Sequence, residues 1–229
     1  MKIAILSLSI LSFATASAFA QTDRIYVGGS GGFAVSTATT SQRVTAGDIA
    51  FEAGARLTNN LVAFGDVGRI SSLTPSISQP AVDATVNSLS DNDGVNVVGS
   101  SHMPARYALF GLKLQARGTK HVTPFILGGL GIAHLTPTST FTFSSGFLPG
   151  TDPNAAAPAV GDDVTPQITT LGAFAPPPTS TAMMLSAGGG AELSVTPRWA
   201  VDAEYRLSRI AADTPLRAQG ITFGLGYRF

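Results

Sequence analysis

The sequence predicts an all-β fold, an eight-stranded antiparallel up-and-down barrel that crosses a membrane. Three observations carry this expectation. The last ten residues alternate without a break: Ile221, Phe223, Leu225, Tyr227 and Phe229 take the odd positions, and Gly220, Thr222, Gly224, Gly226 and Arg228 the even ones. Seven earlier segments repeat that period of two. The connections between segments switch between short turns and long loops. Successive side chains of a strand point to opposite faces, so each segment has one apolar face and one small or polar face. Past the amino terminus no apolar run reaches the ~18 residues a spanning helix needs. In lipid, strands satisfy their backbone groups only in a closed barrel.

The first segment, Ile25 to Val35, sets Ile25, Val27, Phe33 and Val35 against Tyr26 and Ser30, with Ser36 just beyond. In the second, Ile49, Phe51, Ala53, Ala55 and Leu57 alternate with Glu52, Gly54, Arg56 and Thr58. The third, Leu61 to Ile70, begins with four consecutive apolar residues. Its register is read with Ala63, Gly65 and Val67 outward and Phe64, Asp66 and Gly68 inward. The fourth, Arg106 to Ala116, opposes Ala108, Phe110, Leu112 and Leu114 to Tyr107, Lys113 and Gln115. The fifth, Val122 to His134, opposes Ile126, Leu130 and Ile132 to Thr123, Gly129, Gly131 and Ala133, with Pro124 tolerated near a strand end. In the sixth, Ala182 to Val195, Met183, Leu185, Ala187, Ala191, Leu193 and Val195 face away from Ser186, Gly188, Gly190, Glu192 and Ser194. The seventh, Trp199 to Leu207, opposes Trp199, Val201, Ala203, Tyr205 and Leu207 to Asp202, Glu204 and Arg206. The closing decapeptide is the eighth.

Asn59-Asn60, a two-residue turn, Gly118-Thr119-Lys120, and Pro197-Arg198 make the short connections. Residues 38–48, 72–105, 136–181 and 210–219 make the long ones. Short turns at one end and long loops at the other, with an even strand count, put both termini on the short-turn, periplasmic side. The two longest loops are poor in charge and rich in Ser, Thr, Pro, Ala and Gly. That composition buries little, and mobile loops are expected. Phe33, Tyr107, Trp199, Tyr227 and Phe229 lie near strand ends, as interfacial aromatic girdles do; for the inward-reading Tyr107, core packing is an equal alternative.

Residues 1–20 read as a secretory signal. Lys2 supplies the charge, Ile3 to Phe13 the apolar stretch, and Ala18-Phe19-Ala20 the small-x-small site that leaves Gln21 as the first mature residue. Ser7, Ser9, Ser12, Thr15 and Ser17 dilute the run and argue against a membrane anchor. The remaining 209 residues, 21–229, suit one domain. With Lys2 removed from 14 basic and 14 acidic residues the net charge is −1, which gives no reason to expect nucleic acid as a partner. There is no cysteine, so stability must come from hydrogen bonding and packing.

Signal, eight segments, loop alternation and the Gly224-Leu225-Gly226-Tyr227-Arg228-Phe229 ending together resemble the OmpA-type transmembrane domains and the wider family of small outer-membrane β-barrels. The resemblance covers nearly the whole mature chain. It implies a monomer in the outer membrane of a Gram-negative-type envelope. It implies lipid as the surroundings, and it makes Phe223, Leu225, Tyr227 and Phe229 a signal to the barrel assembly machinery. The pattern departs from OmpA itself in having no peptidoglycan-binding domain after the last strand.

The charged residues of the strands read as one set facing the lumen: Glu52, Arg56, Asp66, Lys113, Glu192, Asp202, Glu204, Arg206 and Arg228. On the lipid face near mid-bilayer an Arg or Lys costs ~2–4 kcal/mol. Two readings follow. The set is an ion-paired filling, as an eight-stranded interior just wide enough for its own side chains requires, or it lines a narrow ion path. The first is favoured, because eight strands leave no open channel. The leading expectation is therefore a structural or surface-interaction barrel, with a small porin as the alternative. No catalytic set, cofactor or metal site is expected. His102, His121 and His134 are not at ligand spacing. His134, with Thr136 and Ser186 nearby, is the one place to look for a lipid-modifying acyl hydrolase, and it lacks an acid at that height.

Overall fold

Alternation of side chains across a pleated ladder builds nearly everything in the computed structural model, which describes residues 25–37, 43–73, 78–116, 121–148 and 157–229. Along the chain these form β1 (Ile25–Thr37), β2 (Arg43–Arg56), β3 (Leu61–Ile70), α1 (Gln79–Asp93), β4 (Asn96–His102), β5 (Ala105–Gln115), β6 (Val122–Leu135), β7 (Thr138–Ser145), α2 (Thr165–Thr170), β8 (Ser180–Ser194), β9 (Trp199–Ile210) and β10 (Leu216–Arg228). Eight strands close a barrel in the order β1-β10-β9-β8-β6-β5-β3-β2, every pair antiparallel. Neither helix is long and apolar enough to cross a membrane; the strands do the crossing.

The seam between β1 and β10 runs from Tyr26 opposite Arg228 to Thr37 opposite Arg217. The Phe229 N–H donates to the Ile25 carbonyl at 3.0 Å and extends that ladder to the last residue. At Gly32 the two strands come so close that a Cβ would lie 2.0 Å from the Ile221 carbonyl oxygen. Only glycine permits that approach.

The period-two reading places inward and outward residues correctly in all eight barrel strands, including β3, where Val62, Phe64 and Asp66 are buried and Val67 is exposed. Boundaries differ. β2 begins at Arg43 and β10 at Leu216, so the connections expected over 38–48 and 210–219 shrink to 38–42 and 211–215. In Arg43–Asp48 neither face is apolar, and the ladder to β1 holds this stretch without an amphipathic signature. The expected two-residue turn at Asn59-Asn60 is a four-residue connection, 57–60. There Thr58 Oγ1 accepts from the N–H groups of Asn60 and Leu61. The signal segment and the Gly118-Thr119-Lys120 turn lie outside the described residues.

The largest correction concerns the two long loops, expected to bury little, which over the residues described carry strands, helices and buried apolar side chains. They fold into a cap. β4 and β7 pair with each other and continue the β5–β6 ribbon beyond the barrel. The breaks fall at Pro104 and Pro137, which lack an N–H for the ladder, and the Thr136 N–H donates to the Pro104 carbonyl at 3.1 Å. Helix α1 turns Val82, Thr85 and Leu89 onto this sheet. Gly99 lets it approach, since a Cβ there would lie 2.3 Å from Val82 Cγ1. Helix α2 packs from the other insertion, with Phe141 donating its N–H to Thr165 Oγ1 at 2.8 Å. Val82, Leu89, Val95, Val97, Phe141, Phe143, Leu148, Val164, Ile168 and Phe174 form a hydrophobic core separate from the barrel's. Apolar residues sparse in sequence are gathered in space, and that outweighs the polar composition of the loops.

Candidate functional site: the barrel lumen

Even-numbered positions of β1, β2, β3, β8, β9 and β10, and odd-numbered ones of β5 and β6, point into the barrel and stack in layers. At the capped end the layer is apolar. Ile70, Leu73, Met103, Leu135, Met184, Ile210 and Leu216 are all buried there, with small residues such as Ala34 and Ala218 between them. Tyr107, a candidate for the interfacial girdle, belongs to this interior: it is buried and donates its hydroxyl to Asp48 at 3.3 Å.

The middle layer holds most of the charge. Arg206 on β9 donates Nε to Glu204 at 2.5 Å, reaches Asp66 on β3 through Nη1, and has Nη2 3.9 Å from Glu52 on β2. Lys113 on β5 donates to Glu52 Oε1 at 2.6 Å. Tyr26 donates its hydroxyl to the same oxygen at 2.5 Å. The Lys113 ammonium also lies 4.7 Å from the Phe125 ring centroid, 5.4 Å from that of Tyr26 and 5.7 Å from that of Phe64, distances at which a ring face attracts a cation. Nearer the short-turn rim Arg228 pairs with Glu192 and also reaches Ser194 at 3.2 Å.

Two members of the sequence-derived set stand apart. Arg56 meets no carboxylate among the described residues; its Nη2 is 3.4 Å from Gln115 Oε1. Asp202 faces the lumen beside Gly224 without an ion-pair partner among the described residues. Sequence reasoning missed Asp48, which falls before the point where β2 was expected to begin, and the tyrosine hydroxyls that share the carboxylates. The spaces left among these side chains are small. One of about 30 Å³ lies among Tyr26, Glu52, Asp66, Lys113 and Asp202, and another of about 10 Å³ lies beside Asp48 and Arg206. They have room for ordered water and none for a solute.

The outer wall departs from expectation in one respect. Strand charges are not confined to the lumen, because Arg43, Arg69, Arg106, Arg209 and Arg217 point outward and are exposed. They sit toward the capped end of their strands, past the aliphatic band, where an outward charge costs only ~0–1 kcal/mol. The aromatic girdle lies at the opposite rim. Tyr227 meets both Trp199 and Phe229 edge to face, each at 5.0 Å between centroids. Phe223 and Leu225 are exposed on the same outward face. His134 also points outward, its Nδ1 3.0 Å from Thr181 Oγ1, whereas Ser186 faces inward and shares a hydrogen bond with Ser208 at 3.1 Å. The barrel wall separates that histidine from that serine.

A closed antiparallel ring of eight strands, with aliphatic side chains outside and polar ones within, defines a transmembrane β-barrel. The chain belongs to the family of outer membrane protein β-barrel domains, whose model matches residues 6–229. That membership makes it a protein of the outer membrane. Among solved structures it is similar to Neisserial surface protein A, at 15% identity and a TM-score of 0.56, covering 92% of this chain and 100% of that one. Ail, the attachment invasion locus protein of Yersinia pestis, solved with the heparin analogue sucrose octasulfate, gives 10% identity and a TM-score of 0.48 over 91% of this chain and 100% of that one. The N-terminal β-barrel domain of Pseudomonas aeruginosa OprF gives 11% and 0.42 over 91% and 100%. No curated protein sequence matches the chain.

Proposed function

We propose that this protein is a closed outer-membrane barrel that works through its exterior, presenting a folded cap at the cell surface. The observation that carries the reading is the cap's own hydrophobic core, set over a lumen whose mouth is filled by Ile70, Leu73, Leu135, Ile210 and Leu216. A porin needs a continuous water path. Apolar packing at the mouth and paired charges beneath support a filled interior instead. Residues 71–104 and 136–179 contain six aspartates and no Lys or Arg, so the cap suits a neutral or basic partner rather than a polyanion.

The same reading makes the protein a monomer and not an enzyme, cleaved after Ala20, with Phe223, Leu225, Tyr227 and Phe229 displayed to the assembly machinery. His134 and Ser186 on opposite faces of the wall support the non-enzymatic assignment, since a nucleophile and its base must be within hydrogen-bond reach. Purified protein in planar lipid bilayers tests the closed lumen. The expected record is a flat baseline, and steady single-channel openings would replace this reading with the small porin.

A further inference from the structure

At the capped end the outward face changes from aliphatic to basic, and the register puts the basic residues on one belt. Arg69 on β3 lies directly opposite Arg106 on β5, and Arg106 opposite His134 on β6. Arg217 on β10 lies directly opposite Arg209 on β9. Thr37 on β1 is opposite both Arg217 and Arg43 of β2. The other rim carries Ile25, Trp199 and Phe229 in the outward positions.

Like charges directly opposite each other in a ladder are destabilising, and this outward belt has two such pairs. Among the described residues, none of the five arginines makes a side-chain hydrogen bond or an ion pair, and Asp213, in the hairpin beside Arg209 and Arg217, pairs with neither. Below the Arg209–Arg217 pair the wall is recessed into a groove of about 600 Å³ that includes the outward Leu185, Ala187, Leu207 and Gln219. The groove runs from aliphatic side chains to two guanidinium groups, each a planar fork suited to phosphate oxygens.

We infer that this belt holds the phosphate groups of outer-leaflet lipids, and that the Arg209–Arg217 groove seats one phosphate-bearing lipid. An acyl chain lies along Leu185 and Leu207, and its phosphate bridges the two arginines and removes their repulsion. The aliphatic lining is continuous with the membrane-facing wall, which selects a lipid over a soluble anion.

Native mass spectrometry of the full folded chain, released from micelles, tests this with diphosphorylated lipid A and with a phosphate-free glycolipid of equal acyl content. Lipid A is expected to stay bound and the phosphate-free lipid to leave. The R209Q/R217Q variant should bind lipid A roughly thirtyfold more weakly, and R209Q or R217Q alone about fivefold. Heat-modifiable gel migration reports that each variant is folded. If the double variant does not fold, the single variants carry the comparison. Equal retention of the two lipids, or unchanged lipid A binding in the folded variants, overturns the assignment. Displacement of lipid A by inorganic phosphate overturns the lipid as the occupant.

Discussion

Arg206 of β9 and Asp66 of β3 reach each other across the full bore of the barrel, for their strands stand four places apart in a ring of eight. The same guanidinium holds Glu204 on its own strand and lies near Glu52 on β2. One side chain thus ties together walls that no ladder connects. Removing it by Arg206→Met leaves a cluster of carboxylates without their cation. The expected loss is about 3–5 kcal/mol, as for breaking other buried pairs. Urea unfolding from lipid vesicles, followed through the fluorescence of the single tryptophan, Trp199, measures it. The triple variant D66N/E204Q/R206M should recover much of the loss; no recovery would mean that the arginine acts by packing alone.

The cap should come apart while the barrel stays whole. Phe141 is fully buried and meets Phe174 edge to face at 5.0 Å and 69°. Phe141→Ala should cost the cap about 3–5 kcal/mol. Limited proteolysis is expected to cut within 157–178 in the variant and not in the parent. Both should keep the heat-modifiable migration of a closed barrel, because the barrel core shares no residue with the cap core.

Closure of the seam depends on Gly32. Gly32→Val puts a branched side chain where even a Cβ would stand 2.0 Å from the Ile221 carbonyl oxygen. β1 and β10 cannot then keep their register. The expected outcome is loss of the fast-migrating unboiled band on a gel. The same change at Gly29, where a Cβ would have nothing nearer than 3.9 Å, should be tolerated.

Acid should loosen one end of the cap. Thr165, through its hydroxyl and its backbone N–H, holds the Asp163 carboxyl below the usual carboxylate range. A depressed folded pKa stabilises above the unfolded value of about 4 and is lost as the pH falls through the folded one. The protection of the Thr165 amide from hydrogen exchange, relative to its intrinsic rate, should therefore fall below about pH 4 and stay constant above it. In Asp163→Asn the pH dependence should vanish.

Much of the barrel was legible because its signal is geometric. In Gly220–Phe229 every second side chain must face lipid, and the period survives in the sequence. Where that demand lapses, so does legibility. Arg43–Asp48 is strand by pairing alone, and Asp48 was lost with it. Helix α1 buries only Val82, Thr85 and Leu89, one of them polar, so no apolar stripe marks it. Its reason to be helical is the β4 surface supplied by residues that follow it in the chain. Arg69 and Arg106 lay within the expected segments and still went unread as outward charges. An outward arginine is informative only once its height on the wall is known, and height depends on inter-strand register.

Gly32 and Ile221 lock the last seam of a cylinder whose cap stands entirely on one side of the bilayer. On the proposed cell-surface orientation, the cap formed by the described parts of 71–104 and 136–179 is carried through the membrane before that seam closes, because nothing of that girth passes afterward. The cargo is suited to the trip. It has no Lys or Arg, each of which costs ~2–4 kcal/mol at the bilayer midplane, more than Asp does. The basic belt stays with the wall strands, and a cap without Lys or Arg is the one that the proposed orientation makes least costly to carry across.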